Sequence, residues 1–314
     1  MREFLGAIKE LVTNFKDPRL RDRRGHYATS HGKCMRDQYW EWNKEPETNP
    51  QDFVGKMKMS MGKWIEEGLK KYVLNRMHFY GYHLISTEIP VGGSDPAWDG
   101  YIDAMMAKRT SGGWKKFIIE IKTKYGAGAS FFFRKKDVDK DYLMQIGLYL
   151  REAYKKDGIV DGCITYLLLG DACWSEMVNI LCRYVPETDE VHAYAIVTFD
   201  GGQSCDVKLK VSDALKRWDK LNDLIQKKEQ PACPEYQYKY PLTDAMLRSA
   251  SESALTKALD QGVVMGDWKV KYSRYKDKQL KLDGISPGYS DAERAKILSE
   301  YKRRHPASKR RKPK

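Results

Sequence analysis

The apolar positions change period along the chain. In residues 3–15, "EFLGAIKELVTNF", they recur at the spacing of an amphipathic helix, and the arginine-rich run "KDPRLRDRRGHYATSHGK" that follows reads as a loop. Helical spacing resumes over residues 34–42 and again over 53–79. From Tyr82 the period shortens to two. "YHLISTEIPV" (82–91), "AWDGYIDAMMAK" (97–108) and "GWKKFIIEIKTK" (113–124) predict three strands, with "TSGG" as the turn between the last two. "VDKDYLMQIGLYLREAYKK" (138–156) is rich in helix formers and stops before Gly158, which predicts a helix. Strands are expected at 159–169, 174–185 and 191–199, and a helix over "VSDALKRWDKLNDLIQKK" from Val211. Helices, a hairpin, a helix and then strands imply an α/β fold, a mixed sheet flanked by helices. The divisions expected are an N-terminal helical segment (1–50), a core (51–240), a helical basic appendage (241–300) and a disordered basic tail (301–314).

Within this pattern one strand is anomalous. "FIIEIKTKYG" (117–126) is apolar and β-branched, yet carries Glu120 and Lys122 at its centre. Alternation puts Ile118, Glu120 and Lys122 on one face and Phe117, Ile119 and Ile121 on the other. An edge strand with a solvated ion pair would account for the charges. The neighbouring hairpin offers a second account. If the turn is centred between Ser111 and Gly112, partner positions sum to 223, and Asp103 faces Glu120. Opposed acids about 5 Å apart repel unless something neutralises them, and a divalent cation such as Mg²⁺ would. Lys122 lies on the same face, placed to orient or help deprotonate a water or to steady charge on a phosphoryl oxygen. On the helix at 138–156, Gln145 and Tyr149 fall one turn apart on one face.

Composition narrows the class. The 314 residues can bury a substantial core, and 41% hydrophobic and 12% aromatic content rules out wholesale disorder. No apolar run approaches the roughly 20 residues that span a bilayer, so a soluble intracellular protein without membrane association is expected. Six scattered cysteines without a C-x-x-C pair suggest reduced thiols, neither a disulfide framework nor a zinc ribbon. The net charge of +13 is concentrated: residues 301–314, "YKRRHPASKRRKPK", hold eight Lys or Arg and no acid. A second stretch, "WKVKYSRYKDKQLK", interleaves Lys269, Lys271, Arg274 and Lys276 with aromatic rings. Cations beside stacking rings suit a polyanion such as DNA. A solubilising tail and a solvated face would look the same.

"GYID" (Gly100–Asp103), "EIK" (Glu120–Lys122) and "QIGLY" (Gln145–Tyr149), in that order, resemble the Gly-x-x-Asp, Glu-x-Lys and Gln-x-x-x-Tyr series of the RecB-type branch of the PD-(D/E)XK nucleases. The resemblance spans roughly residues 30–235. It implies a restriction-endonuclease-like fold and a Mg²⁺- or Mn²⁺-dependent deoxyribonuclease leaving 5′-phosphate ends. Asp103, Glu120, Lys122, Gln145 and Tyr149 would be its catalytic residues. Glu66, Asp103, Glu120 and the backbone carbonyl of Ile121 would hold the metal. Glu66 stands in "GKWIE", where many members have Gly-x-x-x-His, and neighbouring Glu67 is an alternative ligand. "CMRDQYW" (Cys34–Trp40) resembles the Cys-x-Arg segment of iron-sulfur members, among them CRISPR-adaptation nucleases. Downstream only Cys233 is offered, with Tyr236 where a second cysteine would stand, so no iron-sulfur cluster is expected and Arg36 becomes a candidate phosphate contact.

The resemblance implies an exonuclease or end-processing enzyme acting on DNA ends or single strands. A structure-selective endonuclease, or an inactive DNA-binding scaffold, are the alternatives. Repair, recombination, phage replication and CRISPR adaptation, with a protein partner in any of them, stay open. The compartment expected is the cytoplasm of a bacterium or phage-infected host, or the nucleus if the source is eukaryotic, where "SKRRKPK" would serve as an import signal.

Overall fold

The structure, a computed structural model, describes residues 25–135, 137–170, 176–233, 238–239, 248, 251–261, 264–265, 273–285 and 288–305. The helix expected at 3–15 and the basic residues Lys269 and Lys271 lie outside the described residues.

The chain divides into two units. The first takes residues up to Gly32 and Asp52–Lys228, the second Lys33–Gln51 and everything from Glu229. The expected N-terminal segment 1–50 is thus shared between them.

The first unit is a mixed sheet flanked by helices, as expected. Its strands are β1 (His26–Tyr27), β2 (Tyr82–Ser94), β3 (Ala97–Thr110), β4 (Gly113–Tyr125), β5 (Asp161–Leu169), β6 (Glu176–Val185), β7 (Glu190–Thr198) and β8 (Gly201–Lys210). The path runs β1-β3-β4-β5-β6-β7-β8, with β2 on the other edge of β3; β1/β3 and β4/β5 are parallel and the rest antiparallel. The expected strands are all present. β8 was not anticipated, because "GGQSCDVKLK" is polar and its side chains are mostly exposed at the sheet edge.

The alternation in β4 decides which layer each side chain joins. Ile118 packs into the larger core with Leu143, Ile146 and Leu150 of the helix Lys140–Asp157, while Ile119 and Ile121 pack with Leu69, Leu74, Ala104 and Met106. That helix starts at Asp139, whose carboxylate accepts from the Asp141 N–H at 3.1 Å, and ends on Gly158 at φ 67°.

The helices in chain order are α1 (Met35–Trp42), α2 (Phe53–Gly68), α3 (Gly126–Lys135), α4 (Lys140–Asp157), α5 (Ser212–Lys227), α6 (Glu252–Gln261), α7 (Lys276–Leu282) and α8 (Asp291–Arg304). The helix expected over 53–79 begins as α2 and then widens into a π-helical turn, Leu69–Val73, before tightening over Leu74–Tyr80. α3 was not anticipated: "GAGASFFFRK" opens on two glycines and lacks a helical start signal.

The second unit holds α1, α6, α7 and α8. Leu255 and Leu259 of α6 bury against Tyr301 of α8, so residues 301–304, expected to be disordered, form the last turn of a helix. Here the cysteine reading is also corrected. Cys34 and Cys233 are joined by a disulfide across 199 residues, a separation at which spacing carries no signal, while Cys163, Cys182 and Cys205 are free thiols.

Candidate active site

The two-residue turn Ser111–Gly112 sets the β3–β4 register at pairs summing to 223, from Thr110/Gly113 to Ala104/Ile119. The next position sets Asp103 against Glu120, and there the regular ladder stops. The strands part, β1 takes up pairing with β3 at Trp98 and Asp99, and the Ile121 N–H donates to the Asp103 carboxylate at 2.7 Å. Separation of the two strands thus leaves a backbone donor that Asp103 satisfies.

Glu120 is 2% exposed. Its Oε1 accepts from Lys122 Nζ at 2.5 Å and from Gln145 Nε2 at 2.7 Å, and Gln145 Nε2 also reaches the Tyr149 hydroxyl at 3.0 Å. Its Oε2 is buried and has no hydrogen-bond partner among the described residues. The Lys122 ammonium also lies 4.7 Å from the centre of the Tyr142 ring. Gly100 explains itself: a Cβ there would stand 2.6 Å from the Tyr149 ring, so the small residue lets the tyrosine lie against β3. Asp103, Glu120, Lys122, Gln145 and Tyr149 are therefore brought together.

Glu66 joins them from α2. Its carboxylate and that of Glu88 on β2 both accept from the buried ammonium of Lys70, and carboxylate oxygens of Glu66, Glu88 and Asp103 lie within 4.8 Å of one another. Glu67 is exposed. Burial, with the charges of Glu120 and Glu66, holds the Asp103 carboxyl well above the usual carboxylate range, against the pull of Lys122 and the Ile121 N–H. Burial likewise raises Glu120, with Lys122 opposing. For Lys122 burial works to lower the pKa, but the charges of Glu120 and Asp103 outweigh it and the ammonium is held more firmly than usual. The unpaired Glu120 oxygen beside a carboxylate set is a donor arrangement that fits a hard cation.

The proposed nucleic-acid contacts belong to the second unit. Arg36 donates to the Pro231 carbonyl at 2.7 Å and to Gln279 Oε1 at 2.8 Å, so it clamps that unit internally. Arg274 pairs with Glu47 at 2.7 Å, and Lys276 is half-buried. Sequence reasoning missed Glu88, Lys70 and Tyr142. The first two depend on local irregularities in β2 and in the π turn, which no periodicity announces.

No family model matches the chain, and no curated protein does. Among solved structures the chain is similar to the crystal structure of SSO0001, with 15% identity and a TM-score of 0.38 over 71% of this chain and 85% of that one. It is also similar to the crystal structure of an alkaline exonuclease from Laribacter hongkongensis, with 8% identity and a TM-score of 0.37 over 65% of this chain and 89% of that one. Both likenesses are too distant to carry a function, which has to come from the site. Among the described residues no helix is long and apolar enough to cross a membrane.

Proposed function

We propose that the first unit is a metal-dependent deoxyribonuclease of RecB type on a restriction-endonuclease-like core, acting on DNA ends or single strands. The observation that carries this reading is the convergence of Asp103, Glu120 and Lys122 where β3 and β4 part, with one buried oxygen of Glu120 left unpaired. Asp103, Glu120, Glu66 and the carbonyl of Ile121 would hold Mg²⁺ or Mn²⁺. Such an ion supplies Lewis acidity, easing deprotonation of the attacking water and neutralising charge on the phosphoryl group.

The chain's own residues do the rest. Lys122, whose ammonium the charges of Glu120 and Asp103 favour in the metal-free protein, would donate to the attacking water or to a phosphoryl oxygen. Gln145 fixes the Glu120 carboxylate, and Tyr149 fixes Gln145, so neither acid swings away when substrate arrives. By the resemblance to RecB-type nucleases, hydrolysis would leave a 5′-phosphate.

End-labelled linear and closed circular DNA, incubated with Mg²⁺, Mn²⁺ or chelator, test the proposal. Metal-dependent shortening of linear DNA alone is expected, abolished by Asp103→Asn. Cutting of circles would make the enzyme an endonuclease, and binding without cleavage in either metal would leave a scaffold.

A further inference from the structure

The acid cluster extends beyond the residues that the proposed chemistry uses. β2 pairs with β3 at positions summing to 190 as far as Leu84/Met106; a bulge then shifts the sum to 191, which sets Glu88 opposite Asp103. The β2–β3 ladder also turns over at this pair. Ile89 and Ile102 pack into the larger core, whereas Leu84, Ala104 and Met106 pack into the smaller one. Glu88 itself stands at φ 51°, a conformation that a residue other than glycine seldom adopts. Three irregularities at one place deliver its carboxylate to those of Glu66 and Asp103.

Lys70 occupies the centre of the group. It is 6% exposed and donates to both Glu66 and Glu88. With Glu120 and Lys122, the described residues here include four acids and two ammonium groups. A closed salt-bridge network would leave no buried oxygen spare. Glu120 Oε2, in a side chain only 2% exposed, has no hydrogen-bond partner among the described residues.

We propose that Glu88 is a further ligand of the cation and that the Lys70 ammonium is its built-in stand-in, holding Glu66 and Glu88 together until the ion displaces it. This rests on the metal-dependent reading above. It adds that loading involves exchange of an ammonium for a metal, so that Glu88 strengthens binding and Lys70 weakens it. The exchange also keeps like charges from repelling one another in the metal-free protein.

Mn²⁺ binding to the full chain, followed by loss of the free-ion paramagnetic resonance signal, tests this without any turnover. Wild type is expected to bind Mn²⁺, Asp103→Asn to lose about tenfold or more in affinity, and Glu88→Gln to lose about tenfold with unchanged circular dichroism. Lys70→Met is expected to bind several-fold more tightly and to show a larger Mn²⁺-induced rise in melting temperature than wild type. If Asp103→Asn weakens binding while Glu88→Gln and Lys70→Met match wild type, the assignment of these two residues is wrong and the metal reading survives. If wild type itself binds no Mn²⁺, both fall.

Discussion

Glu120 holds a lysine, a glutamine and an empty acceptor position at once, and the residues around it are chosen for that geometry. Replacing Lys122 by Met keeps the stem over the Tyr142 ring and removes only the ammonium, so turnover is expected to fall by about 10² to 10⁴-fold while DNA binding persists; single-turnover cleavage beside a binding titration separates the two. Gly100→Ala acts through packing. The new methyl displaces the Tyr149 ring, which loosens Gln145 and then Glu120, and overpacking of this kind costs about 1–3 kcal/mol, readable in a urea denaturation midpoint. The raised Asp103 carboxyl gives a pH dependence with a definite sign. In the metal-free protein the folded chain keeps a proton that the unfolded chain releases near the ordinary Asp range. The contribution of this group to stability is therefore greatest below that range and is lost as pH rises through it towards the raised folded value. Measured in chelator, the denaturation midpoint of wild type relative to that of Asp103→Asn should decline over this window, the variant keeping the part due to Glu120. A profile unchanged by Asp103→Asn would contradict the raised Asp103 carboxyl.

At the scale of elements, the hairpin and α4 set the site. Asp103, Glu120 and Lys122 could be read from the chain on the condition that the turn centres between Ser111 and Gly112, which the structure meets, because register fixes which side chains meet. Gln145 and Tyr149 share a face of one helical turn, but that spacing alone is ordinary, and it was the resemblance to the Gln-x-x-x-Tyr series that singled them out. Glu88 was not, since only the bulge after Leu84 brings it opposite Asp103; a regular pairing would have set Ile102 there instead. Nor was Lys70, which follows α2 into the π turn. α3 and β8 escaped notice because one begins in glycines and the other exposes most of its length, so neither shows the contrast of apolar and polar positions on which periodicity depends. α4 earns its precision at its ends. Gly158 closes it at φ 67°, where a Cβ is strained even in open space, so Gly158→Ala is expected to cost about 1 kcal/mol. Because the strain sits at the far end from Gln145, cleavage per folded molecule should hardly change; a loss of activity larger than the loss of folded protein would show that the helix transmits it.

For the molecule as a whole, the question is what the basic excess does. Of the eight Lys or Arg in residues 301–314, Lys302, Arg303 and Arg304 lie in α8, where Arg303 and Arg304 both pair with Glu300 at 2.7 Å and Lys302 stands 3.8 Å from Glu252. Tyr301 belongs to the buried contact with Leu255 and Leu259. A truncation beginning at 301 would therefore damage the second unit as well as remove charge, and its effect on DNA could not be interpreted. Removing residues 306–314 is the clean experiment, since it takes away Lys309, Arg310, Arg311, Lys312 and Lys314 and leaves the helix whole. If these cations grip phosphates, each releases a counterion on binding. The plot of log affinity against log salt should then become shallower by up to about 4 to 5 for duplex DNA. Melting temperature should not move, and cleavage at saturating DNA should be retained, because the acids and Lys122 are in the first unit. A slope equal to that of the full chain would take the tail out of DNA binding and leave it the role of a solubilising or addressing segment.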